Sequence, residues 1–508
     1  MSSINIMISA DGNQKKTPKR ISMTQSRAHK KSNNPDISAI KIHETKIFEE
    51  EKISLSFTPN FSFKKNTRFQ DAALPYGSKI KNQFPLLKTI KSINKKQTGT
   101  TPKHIPAAER LFVADIDYPD IVSCLKSRGW RECNDLNRDR FTLKFVKNAK
   151  LPDYIRPNQI INHIAHINEL STKVKICRNL KKFPISYDFF PECYIVGPKD
   201  SPDEFIEAFK KNEAESVLKL YKENASQVVS DDLIKALKFL QKKLSIEEKN
   251  QENADKQVED CLRMLETDKQ YSIHGTKNIW IVKPGFKSRG RDILLYRSLD
   301  DILEYTKNNS WVIQKYIENP LIINKRKFDI RQWVLITCFN TFEIFFYKKC
   351  YLRFSVKEYD LSEIDDLYIH LTNNSIAKYS PSFKAEDSMW HIDQFIEWLI
   401  EENKDDIWNK TILPDVKNII INTAKSAKAK ISAKKNTFEL LGFDFMIDSN
   451  FRPWLIEVNT SPAMDYSTNI TEELVKKVLP DTMKVILDLP CDPNASIGDF
   501  EKIASFII

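Results

Sequence analysis

Six strand-like runs crowd between residues 278 and 459: NIWIVK (278–283), SWVIQKYI (310–317), KFDIRQWVLIT (327–337), FEIFFYKKCYLRF (342–354), LLGFDFMID (440–448) and RPWLIEVN (452–459). Helical periodicity intervenes only at 390–403 and 413–433, so strands and helices are mixed without strict βαβ alternation. That order predicts an α+β fold with mainly antiparallel sheets. Upstream, 202–224 and 231–269 carry charged patterns of 3.6-residue period and are expected to be helical, the second so polar that it reads as a surface insertion. A compact first domain is expected over 106–168, where apolar spacing becomes regular and aromatic residues appear.

Charge is unevenly placed. Residues 1–105 hold 20 Lys+Arg against 7 Asp+Glu, so the whole basic excess of the chain lies in its first fifth. That segment is rich in Lys, Ser, Asn, Thr and Pro with little apolar periodicity, and it reads as a disordered basic arm suited to an anionic surface, or as a solvated tail without a partner. Aromatic and basic residues are not interleaved there as a nucleic-acid stacking surface requires, so no nucleic-acid partner is expected. The eight cysteines are scattered without CxxC pairs, which predicts reduced thiols rather than a disulfide framework or a zinc site. The chain has no run of roughly 18 apolar residues, and its first residues lack a sustained apolar core, so neither a membrane span nor a secretory signal is expected. A cytosolic protein is the default reading.

Three constellations carry chemistry. Glycine is scarce, ten in 508 residues, yet two fall in NIWIVKPGFKSRGRD. A strand delivers Lys283, Pro284-Gly285 turns the chain, and Gly290 can take positive φ amid Lys287, Ser288, Arg289 and Arg291. Main-chain amides in such a loop can cradle phosphate oxygens, although GxxxxGK[ST] is absent and the loop read alone is equally an ordinary basic hairpin. In PWLIEVN, Glu457 and Asn459 leave one face of a strand, and a turn centred near 450 puts Asp444 opposite Ile456 or Glu457. Two carboxylates and an amide carbonyl suit Mg²⁺; the bland alternative is a hairpin with a polar solvent face. In KFDIRQW, Lys327, Asp329 and Arg331 share one face, which is either solvated or, with Arg353 and HLTNN (370–374), the anion-binding wall of a cleft. Nothing resembles a nucleophile elbow.

The order of these motifs is more telling than any one of them. WIVKPxxxSRGR, QKYI, KFDIR, YLRFS, HLTNNSI, LLGFDFMID and WLIEVNTSP follow in sequence as they do in the tubulin tyrosine ligase-like family of ATP-grasp ligases, and the resemblance covers about residues 110–490. KFDIRQWVLIT with Trp333, FFYKKCYLRFS, HLTNNSI followed by Met389-Trp390, and CDPNASIGDFEKI most resemble the glycylases of that family.

The resemblance implies an ATP-grasp fold with a first domain at 106–168, a central domain at 169–317, a C-terminal domain at 318–490 and a tail at 491–508. It implies that Lys173, Lys283 and the Ser288-Arg289-Gly290 loop contact ATP phosphates, and that Gln314, Lys315 and Ile317 face adenine. Lys327, Asp329 and Arg331 match a phosphate-contacting motif, with Arg331, Lys327 and Arg353 as catalytic groups. Thr372 and Asn373 match positions near the phosphates or the acceptor, and Asp444, Glu457 and Asn459 match magnesium ligands. Family members usually carry glycine where this chain has Asp292, which puts the closed position of the loop in doubt. The implied activity is ATP-dependent ligation of glycine to glutamates in the acidic tails of tubulin by a monomer acting on cytoplasmic and ciliary or flagellar microtubules. A glutamylase on the same scaffold and a non-catalytic microtubule-binding relative are the alternatives.

Overall fold

The computed structural model describes residues 105–507 apart from 107–108, 116, 148–150, 247–252 and 286–289. The basic arm therefore lies outside the described residues, as do Lys287, Ser288 and Arg289. No helix among the described residues is long and apolar enough to cross a membrane.

The first part of the chain forms β1 (Leu111–Ala114), α1 (Pro119–Ser127), β2 (Arg131–Glu132), β3 (Leu143–Phe145) and β4 (Ile160–Asn162). These strands pair in parallel, β2 on β1, β1 on β3 and β3 on β4. α1 starts on Pro119, whose missing N–H costs nothing in a first helical turn, and buries Ile121 and Leu125.

The middle part follows with α2 (Asn168–Ser171), α3 (Lys173–Lys181), β5 (Cys193–Val196), α4 (Asp203–Glu223), α5 (Ser230–Leu244), α6 (Ala254–Leu265), β6 (Trp280–Pro284), β7 (Leu294–Tyr296), α7 (Leu299–Thr306) and β8 (Trp311–Lys315). Its strands make a separate antiparallel sheet in the order β5-β8-β6-β7. The helix expected over 231–269 is two: α5 stops on Ser245, which is left-handed at φ +56°, and α6 begins on the Asn253 side chain, which accepts from the Asp255 amide. α4, α5 and α6 bury Leu218, Leu237, Leu240 and Leu262 against one another in a core of their own. Cys177 of α3 and Cys193 of β5 are joined by a disulfide, against the expectation of eight free thiols. Sequence spacing conceals the pair because only the packing of α3 on β5 brings the two together.

The last part supplies β9 (Ile322–Ile323), β10 (Arg326–Cys338), β11 (Thr341–Tyr347), β12 (Tyr351–Phe354), α8 (Leu367–His370), α9 (Asn374–Ala377), β13 (Met389–His391), α10 (Ile392–Glu401), α11 (Leu413–Ala427), β14 (Thr437–Ile447), β15 (Pro453–Asn459), α12 (Asn469–Met483) and β16 (Phe500–Ile507). The main sheet runs β13-β12-β10-β14-β4-β3-β1-β2, with β15 on β14 and β11 between β10 and β16. Residues 106–168 and 318–490 thus share one sheet through the parallel β4–β14 pair. The segment 491–508, expected as a tail, instead contributes β16 to its edge. The single strand expected over 342–354 breaks at 348–350, so β11 pairs the second half of β10 and β12 the first. Gln332 fills the break, donating to the carbonyl oxygens of Trp333 at 2.8 Å and Tyr347 at 2.6 Å.

β10 explains where the site lies. Phe328, Ile330, Val334 and Ile336 enter the larger core, while Trp333 and Leu335 on the other face enter a second one. Alternation puts Lys327, Asp329 and Arg331 on that second face, beyond the reach of its apolar packing. β14 repeats the pattern: Leu441, Phe443 and Phe445 enter the larger core, and Gly442 and Asp444 turn the other way.

Candidate active site

The charged face of β10 is not solvated. Lys327, Asp329 and Arg331 are 1%, 6% and 5% exposed, so each needs a buried partner. Register supplies them: Asp329 lies opposite Arg353 of β12, and Arg331 opposite Asp444 of β14. Arg353 donates to both Asp329 oxygens, at 2.7 and 2.6 Å, and Thr372 Oγ1 donates to Asp329 Oδ2 at 2.7 Å. Arg331 Nε and Nη2 donate to Asp444 at 2.5 and 3.1 Å, and Arg353 Nη2 lies 3.0 Å from Asp444 Oδ2. Burial pushes the Asp444 carboxyl up, but the two guanidiniums outweigh it and hold it well below the usual carboxylate range.

The hairpin of β14 and β15 turns at Asp448 to Arg452, and its register pairs Asp444 with Glu457 and Gly442 with Asn459. A bulge between Asp444 and Phe445 leaves Ile456 without an opposite residue, which resolves the choice between Ile456 and Glu457 in favour of Glu457. Asn459 Nδ2 donates to Asp444 Oδ2 at 3.2 Å and Glu457 Oε1 at 3.3 Å. Lys173, at the start of α3, reaches Glu457 at 3.6 Å.

The four-stranded sheet forms the opposing wall. Lys283 Nζ donates to Gln314 Oε1 at 2.6 Å, and Lys327 Nζ donates to Tyr316 Oη and the His370 carbonyl, each at 2.9 Å. Burial, with the like charge of Lys173, pulls the Lys283 ammonium down to about 8 despite Glu457 and Asp444. Burial, with the like charge of Lys283, takes Lys327 down to about 7 despite Asp329. The cavity between the sheets is lined by apolar Ile281, Ile293, Leu371 and Met446 and by charged Lys283, Lys327, Asp329, Asp444 and Glu457. Gln314 and Ile317 also line it, as do Thr372 and Asn373. Lys315 turns its ammonium away, to Glu318 at 2.5 Å and the Ile279 carbonyl at 2.9 Å, so only its main chain is available to a ligand. Gly290, at φ +70°, lies where an added Cβ would collide with Ile376, and Asp292 is left-handed at φ +56°, a conformation glycine adopts freely and aspartate tolerates.

A second chamber adjoins the first. Arg331, Tyr351, Arg353, Lys378 and Asn459 line it, and Asn373 and Glu457 border both. Sequence reasoning missed Tyr316 and Tyr351; Tyr316 sits inside the QKYI motif and His370 opens HLTNN, but no spacing reveals that the His370 carbonyl accepts from Lys327.

A family model described as the tubulin-tyrosine ligase family matches residues 188–495, a span holding both walls of the cleft. The chain belongs to the tubulin-tyrosine ligase family. It is 31% identical to tubulin glycylase 3B of Tetrahymena thermophila over 84% of this chain and 47% of that protein. It is 33% identical to tubulin monoglycylase TTLL3 of Danio rerio, over 69% of this chain and 56% of the relative, and 33% identical to human protein monoglycylase TTLL8, over 68% and 51%. The chain thus spans about half the length of these curated relatives.

The resemblance implies magnesium ligands at Asp444, Glu457 and Asn459. Among the described residues no three His, Cys, Asp or Glu side chains cluster as metal ligands; the trio here is two carboxylates and an amide. Its members converge, with Asn459 Nδ2 donating to both carboxylates, at 3.2 and 3.3 Å. The donor set fits a hard divalent cation that takes few protein oxygens, with Asn459 turned to present its carbonyl oxygen.

Proposed function

We propose that this chain is an ATP-dependent ligase that joins glycine to glutamate γ-carboxylates in the acidic tails of tubulin. One observation carries the reading: two buried lysines, donating to neutral oxygens, line a slot that also holds Ile281, Ile293, Leu371 and Met446, while a second chamber rimmed by Arg331 and Arg353 abuts it. A slot that combines apolar side chains with two ammonium groups suits a purine with its phosphates. The likeness to glycylases over most of the chain supports glycine as the donor.

A carboxylate and an amine do not condense unaided in water. Transfer of the γ-phosphate to the acceptor carboxylate gives an acylphosphate, whose carbonyl carbon the glycine amine attacks with loss of phosphate. Lys283 and Lys327 neutralise phosphate oxygens, and the main chain at 315–317 with Gln314 orients the base. Arg331 and Arg353 offer planar N–H forks to the transferring oxygens and to the oxygen of the tetrahedral carbon. When bound by Asp444, Glu457 and Asn459, Mg²⁺ would screen the phosphate charge. Gly290 and Thr372 line the slot, and Asn373 stands at its junction with the acceptor chamber.

The proposal extends to a monomer at cytoplasmic and ciliary microtubules. The test is mass spectrometry of tubulin after incubation with the purified chain, Mg-ATP and both glycine and glutamate. Glycine on tail glutamates is expected, with loss of roughly 3–4 kcal/mol of barrier lowering in Glu457→Gln. Glutamate added without glycine would make it a glutamylase, and modification undiminished in Glu457→Gln would overturn the catalytic assignment.

A further inference from the structure

Asp444 is crowded by positive charge. Arg331 donates to both of its oxygens, Nε to Oδ1 at 2.5 Å and Nη2 to Oδ2 at 3.1 Å, Asn459 Nδ2 donates to Oδ2 at 3.2 Å, and Arg353 Nη2 stands 3.0 Å from Oδ2. Asp444 itself lines the slot between the sheets, whereas Arg331 and Arg353 line the second chamber, so this ion pair crosses the wall that divides the two.

We infer that Asp444 is contested between the arginines and a divalent cation, so that loading a cation-nucleotide complex releases the Arg331 guanidinium into the second chamber. The inference rests on the nucleotide reading of the slot. A cation on this carboxylate would stand against the guanidinium that grips both of its oxygens, and like charges at that range repel, so one must yield. Arg353 keeps its two bonds to Asp329, at 2.7 and 2.6 Å, and stays where it is. Arg331 crosses Gly442, where an added Cβ would stand 3.2 Å from its Cδ and Nε and 3.0 Å from Pro462 Cβ, so any side chain there would crowd the arginine. Once free, its fork suits a carboxylate in the second chamber. A carboxylate ligand there then binds more tightly after the cation and nucleotide than before them, and the coupling is reciprocal. The metal-nucleotide complex is therefore the first substrate to load.

Two readouts other than turnover test this. In crystals of the unaltered chain soaked with Mn²⁺ and ADP, the manganese is expected at Asp444, with the 2.5 Å contact from Arg331 Nε to Oδ1 broken. Manganese at Asp444 with that contact intact overturns the inference. In solution, electron paramagnetic resonance of Mn²⁺ with ADP should show binding to Arg331→Met on the order of tenfold tighter than to the parent, since a competing charged hydrogen bond is gone. Unchanged or weaker binding overturns it, and the crystals separate displacement from a mere loss of positive charge. Glu457→Gln tests the underlying reading separately: if Mn²⁺ and ADP bind as tightly to it, or are seen elsewhere in the crystals, the slot is not the nucleotide site.

Discussion

Lys327 shows how the same placement weakens the empty protein and serves the loaded one. Its ammonium is buried, and its value falls to about 7 from an ordinary 10.5. Between those values the unfolded chain binds the extra proton and the folded chain does not. Stability of the ligand-free protein therefore rises with pH across that window, and the cost of burying the charge is greatest below pH 7. Nucleotide affinity runs the other way, because phosphate oxygens favour the protonated lysine. Calorimetry at pH 8 in buffers of different ionisation enthalpy should register proton uptake when ATP binds, and affinity should fall as pH rises from 7 to 9. A pH-independent affinity would show that neither Lys327 nor Lys283 meets the phosphates. Lys327→Met should leave the melting temperature equal or higher while lowering nucleotide affinity roughly 10- to 100-fold, the scale of one lost charged hydrogen bond. The shared face of Lys327, Asp329 and Arg331 was legible in their alternation, but not that it is buried rather than solvated. The orientation of Lys315 was also there to be read, since neighbours on a strand face opposite ways and Gln314 points into the slot. What no spacing discloses is that Asp444 is engaged by two arginines, because the contact needs three strands in register.

At the scale of elements, the broken strand beside β10 is the most consequential departure from the sequence pattern. FEIFFYKKCYLRF reads as one run because Tyr347 and Tyr351 are both apolar and the intervening Lys348 and Lys349 suit an edge. The structure spends three residues on a break there, and Gln332 satisfies the carbonyl of Tyr347 that the ladder cannot. Without that break, Arg353 would lie out of step with Asp329. Gln332→Leu should therefore cost about 1–3 kcal/mol, read as a lower denaturant midpoint with an unchanged slope, because it strands buried carbonyls. The helix over 231–269 failed as a single element for a similar reason. Its stop is a left-handed serine and its restart an asparagine cap, both weaker signals than the glycine usual at such a boundary.

For the whole molecule, the main strands, their antiparallel pairing and the motifs that line the cleft from β6 to β15 were foreshadowed by periodicity and motif order. The closure of the large sheet through β4 and β14, and the pairing of β16, were not, since partners so far apart leave no local trace. Charge separation between the first 105 residues and the rest is a property of the chain as a whole. Deleting residues 1–100 should weaken binding to microtubules at low salt and have little effect above 0.3 M salt, where screening reaches within a few ångströms. Cosedimentation across a salt series checks this, and equal binding by both forms at low salt would leave the basic excess without an electrostatic role.

The parallel pair of Ile161 with Thr437 also bears on how the chain comes into being. β4 leaves the ribosome with a hydrogen-bonding edge whose partner is about 275 residues away, which at ordinary rates of translation means waiting on the order of tens of seconds. During that interval the edge is a template for any passing strand, so nascent chains of this protein should be clients of chaperones that shield exposed β edges until β14 is made.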